Sequence, residues 1–286
     1  MTPLQEGAAL NGPRYLNIAC GGTYVARADW ENVDYTPDEA GHVTRMNVLN
    51  RLEPSRSQYE VVYCSHFVEH IPADSVMAFL ERCRSLTAPG GVLRVVVPDA
   101  EFLLREHLRH KDAGNHGLAE FAFVNFLDQC VRRTRGGRLG AINGEIAQGR
   151  RPDLVEYAEF LNGAPDAGAV TTGAADGRPL AKVLRLISSP ARLRAALEQR
   201  YIRLISRLLP EGFRAQNVSF ADVGELHHWM YDFAQLEGLL KAAGFSSVSR
   251  LGFNTSKRSD GIFLPLDAVD GAPRKGHHQL FIEAYP

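Results

Sequence analysis

Between residues 15 and 97 the apolar positions fall into short, dense runs separated by polar or glycine-rich breaks. Tyr15–Cys20 is the first run, Trp30–Asp34 the second, His42–Val48 a shorter third, and Tyr59–Cys64 the fourth. Val92–Val97 is a β-branched run closed by Pro98-Asp99. Runs of this length and composition predict strands, and Val92–Val97 reads as a central strand buried on both faces. One stretch has a different period. From Asp74 onward, Val76, Phe79, Leu80, Cys83 and Leu86 recur every three or four residues, the stripe of a helix lying on a sheet, and Pro89-Gly90-Gly91 stops it. Residues 23–30 show little helical pattern, so the link between the first two strands is short or irregular. Five strands joined by short helical or loop crossovers predict a parallel sheet.

The same grammar returns near the C-terminus. Met230, Phe233, Leu236, Leu239 and Leu240 make an amphipathic helix over His228–Ala243, with Gly244 as its stop. Val248–Phe253 and Leu280–Tyr285 are two further strands. No helix separates them, only an irregular loop, so an antiparallel pair at the sheet edge is expected. Residues 103–225 interrupt this pattern with helical runs, a Gly/Ala/Thr-rich loop at 163–179 and no strand. Positions 103–214 hold 18 Lys and Arg against 12 Asp and Glu, whereas the rest of the chain is net negative. The predicted organisation is a core of residues 1–102 and 226–286, with 103–225 as a helical insertion of distinct charge.

The composition is that of a soluble globular protein, 45% hydrophobic and 23% charged with a net charge of −1, and gives no whole-molecule reason to expect nucleic acid as partner. Cys20, Cys64, Cys83 and Cys130 form no CxxC pair, which argues against a zinc knuckle or redox motif. No run approaches the roughly 20 apolar residues of a membrane span. Gln5, Glu6 and Arg14 interrupt any leader-like stretch, so the cytoplasm is the expected compartment.

The first strand runs into Gly21-Gly22, where the backbone can approach a ligand, and the second ends in Asp34, whose two oxygens can accept from a ribose diol. In a parallel sheet both places lie at the carboxyl edge of adjacent strands, where nucleotides bind. The G-x-G-x-x-G fingerprint of nicotinamide enzymes is absent, since Gly21 is followed by Gly-Thr-Tyr-Val-Ala. Downstream come Ser65-His66-Phe67-Val68-Glu69-His70-Ile71-Pro72, then Pro89-Gly90-Gly91-Val92, then Leu240-Lys241-Ala242-Ala243-Gly244-Phe245.

In that order these motifs resemble class I S-adenosylmethionine-dependent methyltransferases, and within them a bacterial group associated with glycan or secondary-metabolite pathways. The resemblance covers about 15–102 and 226–286 and excludes the insertion. It implies an α/β fold: a Rossmann-like, mostly parallel seven-stranded sheet with an antiparallel last strand. It implies S-adenosylmethionine as cofactor, with Asn17, Ala19, Cys20, Gly21 and Gly22 bordering the methionine part and Asp34 on the ribose. Asn47, with Val48 beside it, would face the adenine where the family usually has Asp, and Ser65 and His66 would meet the methionine end. Ala19 stands where the family commonly has Gly.

The reaction implied is methyl transfer to an oxygen, or less readily a nitrogen, of a small-molecule acceptor. A hydroxyl acceptor needs a base. His228 and His227, placed at the start of their helix, are the first candidates, and His66 the next. His66 and His70 stand four apart, a spacing that holds metals on helices, but no third ligand follows and no metal is expected. The Arg-rich stretches 132–135 and 182–207 read as solvated surface or as recognition of an anionic acceptor, with Leu197, Leu204 and Leu208 among the apolar positions of the second. Two other readings stay open: a cofactor-binding but non-catalytic sensor or partner module, and nucleic-acid methylation through the basic insertion.

Overall fold

The computed structural model describes residues 12–163, 204–221 and 224–286, together with positions 197 and 200–202. Most of the expected lead-in 1–13, of the loop 163–179 and of the Arg-rich stretch 182–207 lies outside the described residues.

Seven strands form one sheet: β1 (Tyr15–Ile18), β2 (Trp30–Asp34), β3 (Val43–Arg45), β4 (Tyr59–Ser65), β5 (Thr87–Pro98), β6 (Ser247–Leu251) and β9 (Gln279–Tyr285). Their spatial order is β3-β2-β1-β4-β5-β9-β6. The pairs from β3 to β5 are parallel, and β9 runs antiparallel to both β5 and β6. The expected antiparallel pair is present at the sheet edge. β9 slots between β5 and β6, which leaves the half-buried β6 outermost. Burial matches this order, since Leu-Phe-Ile-Glu-Ala in β9 is fully buried while β6 alternates with serines. β7 (Ala268–Val269) and β8 (Ala272–Pro273) form a separate short hairpin.

Helix α1 (Val76–Leu86) buries Val76, Phe79, Leu80, Cys83 and Leu86, the stripe its spacing predicts. It packs with Leu16, Ile18, Val33, Leu236 and Leu240 on one face of the sheet. Helices α2 (Ala100–Asp112), α3 (His116–Val131), α4 (Gly137–Ala147) and α5 (Val155–Asn162) follow β5 directly, and α6 (Glu211–Asn217) lies later in the chain. Leu103, Phe121, Ala122, Leu154 and Leu161 give α2, α3 and α5 a hydrophobic core of their own. Of the Arg-rich stretch 132–135, Arg133 is exposed as surface while Arg132 is not. Arg132 is buried in an ion pair with Asp128 at 2.9 Å, and Arg133 donates to the carbonyls of Arg214 and Val218. Leu197, Leu204 and Leu208 are exposed.

Helix α7 (Phe233–Ala242) starts later than its periodicity predicts. Asp232 caps it by accepting from the Gln235 amide at 2.8 Å, which outcompetes the apolar pattern as a start signal. His227 and His228 therefore precede the helix outside any regular element, in the segment where Tyr231 bridges to Asp99. Helix α8 (Leu264–Asp267) closes the other face of the sheet, where Phe263 and Leu266 meet Tyr63, Val92 and Phe281.

The chief polar feature of that second face is Arg94, in the middle of β5 and fully buried. Its Nε lies 2.7 Å from Asp267 and its Nη1 3.1 Å from Glu283, while the carbonyls of Thr255 and Gly252 accept one proton each from Nη1 and Nη2. Phe263 and Phe281 stack against the guanidinium. One cation thus ties β5, β9, α8 and the loop after β6 together. Arg94→Met leaves two buried carboxylates without a counter-charge and should destabilise the fold by about 3–5 kcal/mol. Arg14→Met breaks the exposed Arg14–Glu60 pair and should cost under about 1 kcal/mol. Urea unfolding of the two variants checks this, and equal losses would contradict it.

Candidate functional site at the carboxyl edge of the sheet

The parallel register brings Ile18 beside Val33 and Cys64, and Cys64 beside Val95. The residues that follow each strand therefore emerge along one edge: Ala19–Gly22 after β1, Asp34–Thr36 ending β2, and Ser65-His66 after β4. Because β9 is antiparallel, the residues before it, His277 and His278, arrive at the same edge, with Gln279 paired to Pro98.

Asp34 organises the β1 side. One carboxylate oxygen accepts the Gly21 N–H at 2.9 Å and the other accepts the Thr36 N–H at 2.8 Å. Each oxygen keeps a lone pair for an outside donor. Gly21 has φ +53°, and a Cβ added there or at Gly22 would meet nothing within 4 Å. The turn is thus an open cradle beside an ordered carboxylate, and its residues fit the ribose and methionine portions of the expected cofactor. Cys20 is buried in this turn, its thiol pushed up to about 12 by burial and then by Asp34.

Asn17 is buried inside the sheet, not open at its edge. Its Nδ2 donates to the Thr23 carbonyl and to Asn32, so it fastens the glycine turn from behind, while its Oδ1 has no partner. Met46 donates to the Asp34 carbonyl at 2.7 Å, which sets the exposed Asn47 and the buried Val48 next to the end of β2.

On the β4 side, His66 leaves the sheet with φ +52°, as Ala19 does after β1. Bulky residues rarely adopt this conformation, and such strain gathers at functional sites. The ring of His66 lies 3.2 Å from Gln279 and 3.4 Å from Glu69, and burial holds its pKa well below the ordinary value. His278 faces it edge-on and is pushed down to about 4, again by burial.

Next to them Glu69 is fully buried, and neither of its carboxylate oxygens has a hydrogen-bond partner. Burial pushes its pKa up to about 7. The Glu69 carbonyl, by contrast, accepts from His228 at 2.7 Å and from Trp229 at 3.3 Å, which anchors residues 228–229 over the turn. Two candidates for the base thereby separate. His227 is buried, its ring 4.6 Å from that of His70, and burial drives its pKa down to about 2, far from the value a general base needs. His228 is exposed at the same edge.

Sequence reasoning singled out Gly21, Gly22, Asp34, His66 and His227-His228, and all of these meet at this edge. It missed His278 and Gln279. The signal for them was present: a His-His pair directly ahead of a strand that must run antiparallel into the carboxyl edge.

No family model matches the chain, and no curated protein matches it. Solved structures do resemble it. The DhpI–SAH complex shares 29% identity over 30% of this chain and 48% of its own, with a TM-score of 0.26. PKMT2 from Rickettsia typhi is 11% identical over 97% of this chain and 49% of its own, with a TM-score of 0.38. A SAM-dependent methyltransferase from Archaeoglobus fulgidus is 12% identical over 96% and 87%, with a TM-score of 0.37. The chain spans about half the length of the first two. At these TM-scores the likenesses decide nothing about chemistry, which has to be read from the site itself. Among the described residues, no helix is long and apolar enough to cross a membrane.

Ala19 gives a direct check on the cradle. Its left-handed backbone costs an L-residue about 1–2 kcal/mol that glycine escapes. Ala19→Gly, set against glycine's greater freedom when unfolded, should raise unfolding free energy by up to about 1 kcal/mol. A less stable variant in denaturant titration would show that the turn is built differently.

Proposed function

We propose that the chain is an S-adenosylmethionine-dependent methyltransferase acting on an oxygen of a small molecule. The observation that carries this is the pairing of the Asp34 carboxylate with the open Gly21-Gly22 turn at the carboxyl edge. When bound, S-adenosylmethionine supplies a methyl group already activated on a sulfonium, so the protein's task is to hold and align. Asp34 binds the ribose hydroxyls through the lone pairs its backbone donors leave free. The glycine turn admits the methionine backbone, and Asn17 keeps that turn in place from inside the sheet. Asn47 and Val48 border the adenine side, and Ser65 and His66 the sulfur side.

His228 is the residue suited to take the acceptor's proton, since it is exposed at the edge while its backbone is fixed to Glu69. The helices after β5 form the acceptor side. α3 and α5 reach the edge through Gln129, whose carbonyl accepts from His227, and through Phe160 and Leu161, whose carbonyls accept from His277 and His278. Covering the site this way excludes water and aligns the nucleophile, which can lower a barrier by roughly 7–11 kcal/mol. Glycan or secondary-metabolite acceptors are the class that the sequence resemblance suggests.

Asp34→Ala should weaken S-adenosylmethionine binding by about 1.5–3 kcal/mol, the worth of a charge-assisted hydrogen bond. Titration calorimetry on wild type and variant, with circular dichroism to verify folding, measures it. Unchanged affinity, or no binding of S-adenosylmethionine or S-adenosylhomocysteine by the wild type at millimolar concentration, would overturn the reading. Binding without release of S-adenosylhomocysteine across a broad acceptor panel would instead favour the sensor or partner module.

A further inference from the structure

We propose that Glu69, His70 and His227 hold a divalent transition-metal ion. Glu69 and His70 come from the turn after β4, and His227 arrives from 157 positions later in the chain, which is why spacing alone shows no third ligand. One ligand atom from each lies within 4.8 Å of the other two. Each of the three side chains has a ligand atom without a hydrogen-bond partner among the described residues. His70 uses Nδ1 toward the Leu226 carbonyl at 2.9 Å, which fixes the tautomer that frees Nε2. His227 Nε2 lies 3.3 Å from the Gln129 amide nitrogen, and its buried Nδ1 is left without a partner. Ligating histidines characteristically anchor their second nitrogen, as His70 does on the Leu226 carbonyl.

Glu69 makes the argument independent of spacing. A fully buried carboxylate with two unpartnered oxygens is costly unless a cation or donor faces it. Two imidazoles and one carboxylate suit zinc, cobalt, iron(II) or manganese and leave at least one position for an outside oxygen. His66 Nδ1 lies 3.4 Å from the same carboxylate. The ion would also fasten the strand-end turn to residues 226–229. This proposal does not depend on the methyltransferase reading.

The test uses untagged protein stripped with a chelator and titrated with Co²⁺ alone, without cofactor. One equivalent should bind with visible d–d absorption and raise the melting temperature. Glu69→Gln, which keeps the volume, and His227→Ala should each weaken binding by about 100-fold or more, at the upper end of what even outer-sphere changes cost. If His227→Ala fails to fold, Glu69→Gln alone decides between ligation and its absence. No binding to the wild type at millimolar Co²⁺, or equal binding in folded Glu69→Gln, would overturn the proposal and leave a water-bridged polar cluster in its place.

Discussion

The parallel register of β1 with β2 and β4 is the constraint on which the rest of the site depends. Ile18, Val33 and Cys64 stand side by side and are all buried, so every strand of the group leaves the sheet at the same height. A slip of one residue would turn these side chains to the opposite face. Asp34 would then lose the Gly21 amide, and Ser65-His66 would move out of reach of β9. The Cys20 amide bonded to Val33 and the His66 amide bonded to Val96 extend the pairing past the ends of β1 and β4. Those extra bonds hold Ala19 and His66 in their left-handed turns.

The two faces of the sheet solve different problems. On the α1 and α7 face, apolar burial suffices, and helical stripes supply it. The opposite face includes the fully buried Arg94, whose charge is satisfied only because α8 and β9 deliver Asp267 and Glu283. That network orients β9, and β9 in turn sets His278 and Gln279 against His66. The helices after β5 then rest on the same few residues through Leu161 and Gln129. Energetics on one face thereby fix geometry at the functional edge.

Much of this is legible in the chain. The strands β1, β2, β4 and β5, the α1 stripe and the final antiparallel pair follow from period and composition, and Gly21 and Asp34 follow from their place after strands. What stays hidden depends on distance in sequence. The insertion of β9 between β5 and β6 is set by burial on both sides, which no local pattern reports. The α7 start departs from the apolar spacing, which reaches back to His228, because Asp232 as a cap outweighs it. The meeting of Glu69, His70 and His227 needs the whole fold. Arg132 reads as surface because its partner, an aspartate one turn back, carries no motif.

The most direct measurement is a co-crystal structure with S-adenosylhomocysteine. The account predicts ribose hydroxyls within hydrogen-bond reach of Asp34, the amino-acid portion over Gly21-Gly22, and the sulfur directed toward Ser65 and His66 with His228 across from it. Density for the ligand at any other face, or a ribose not engaged by Asp34, would contradict it.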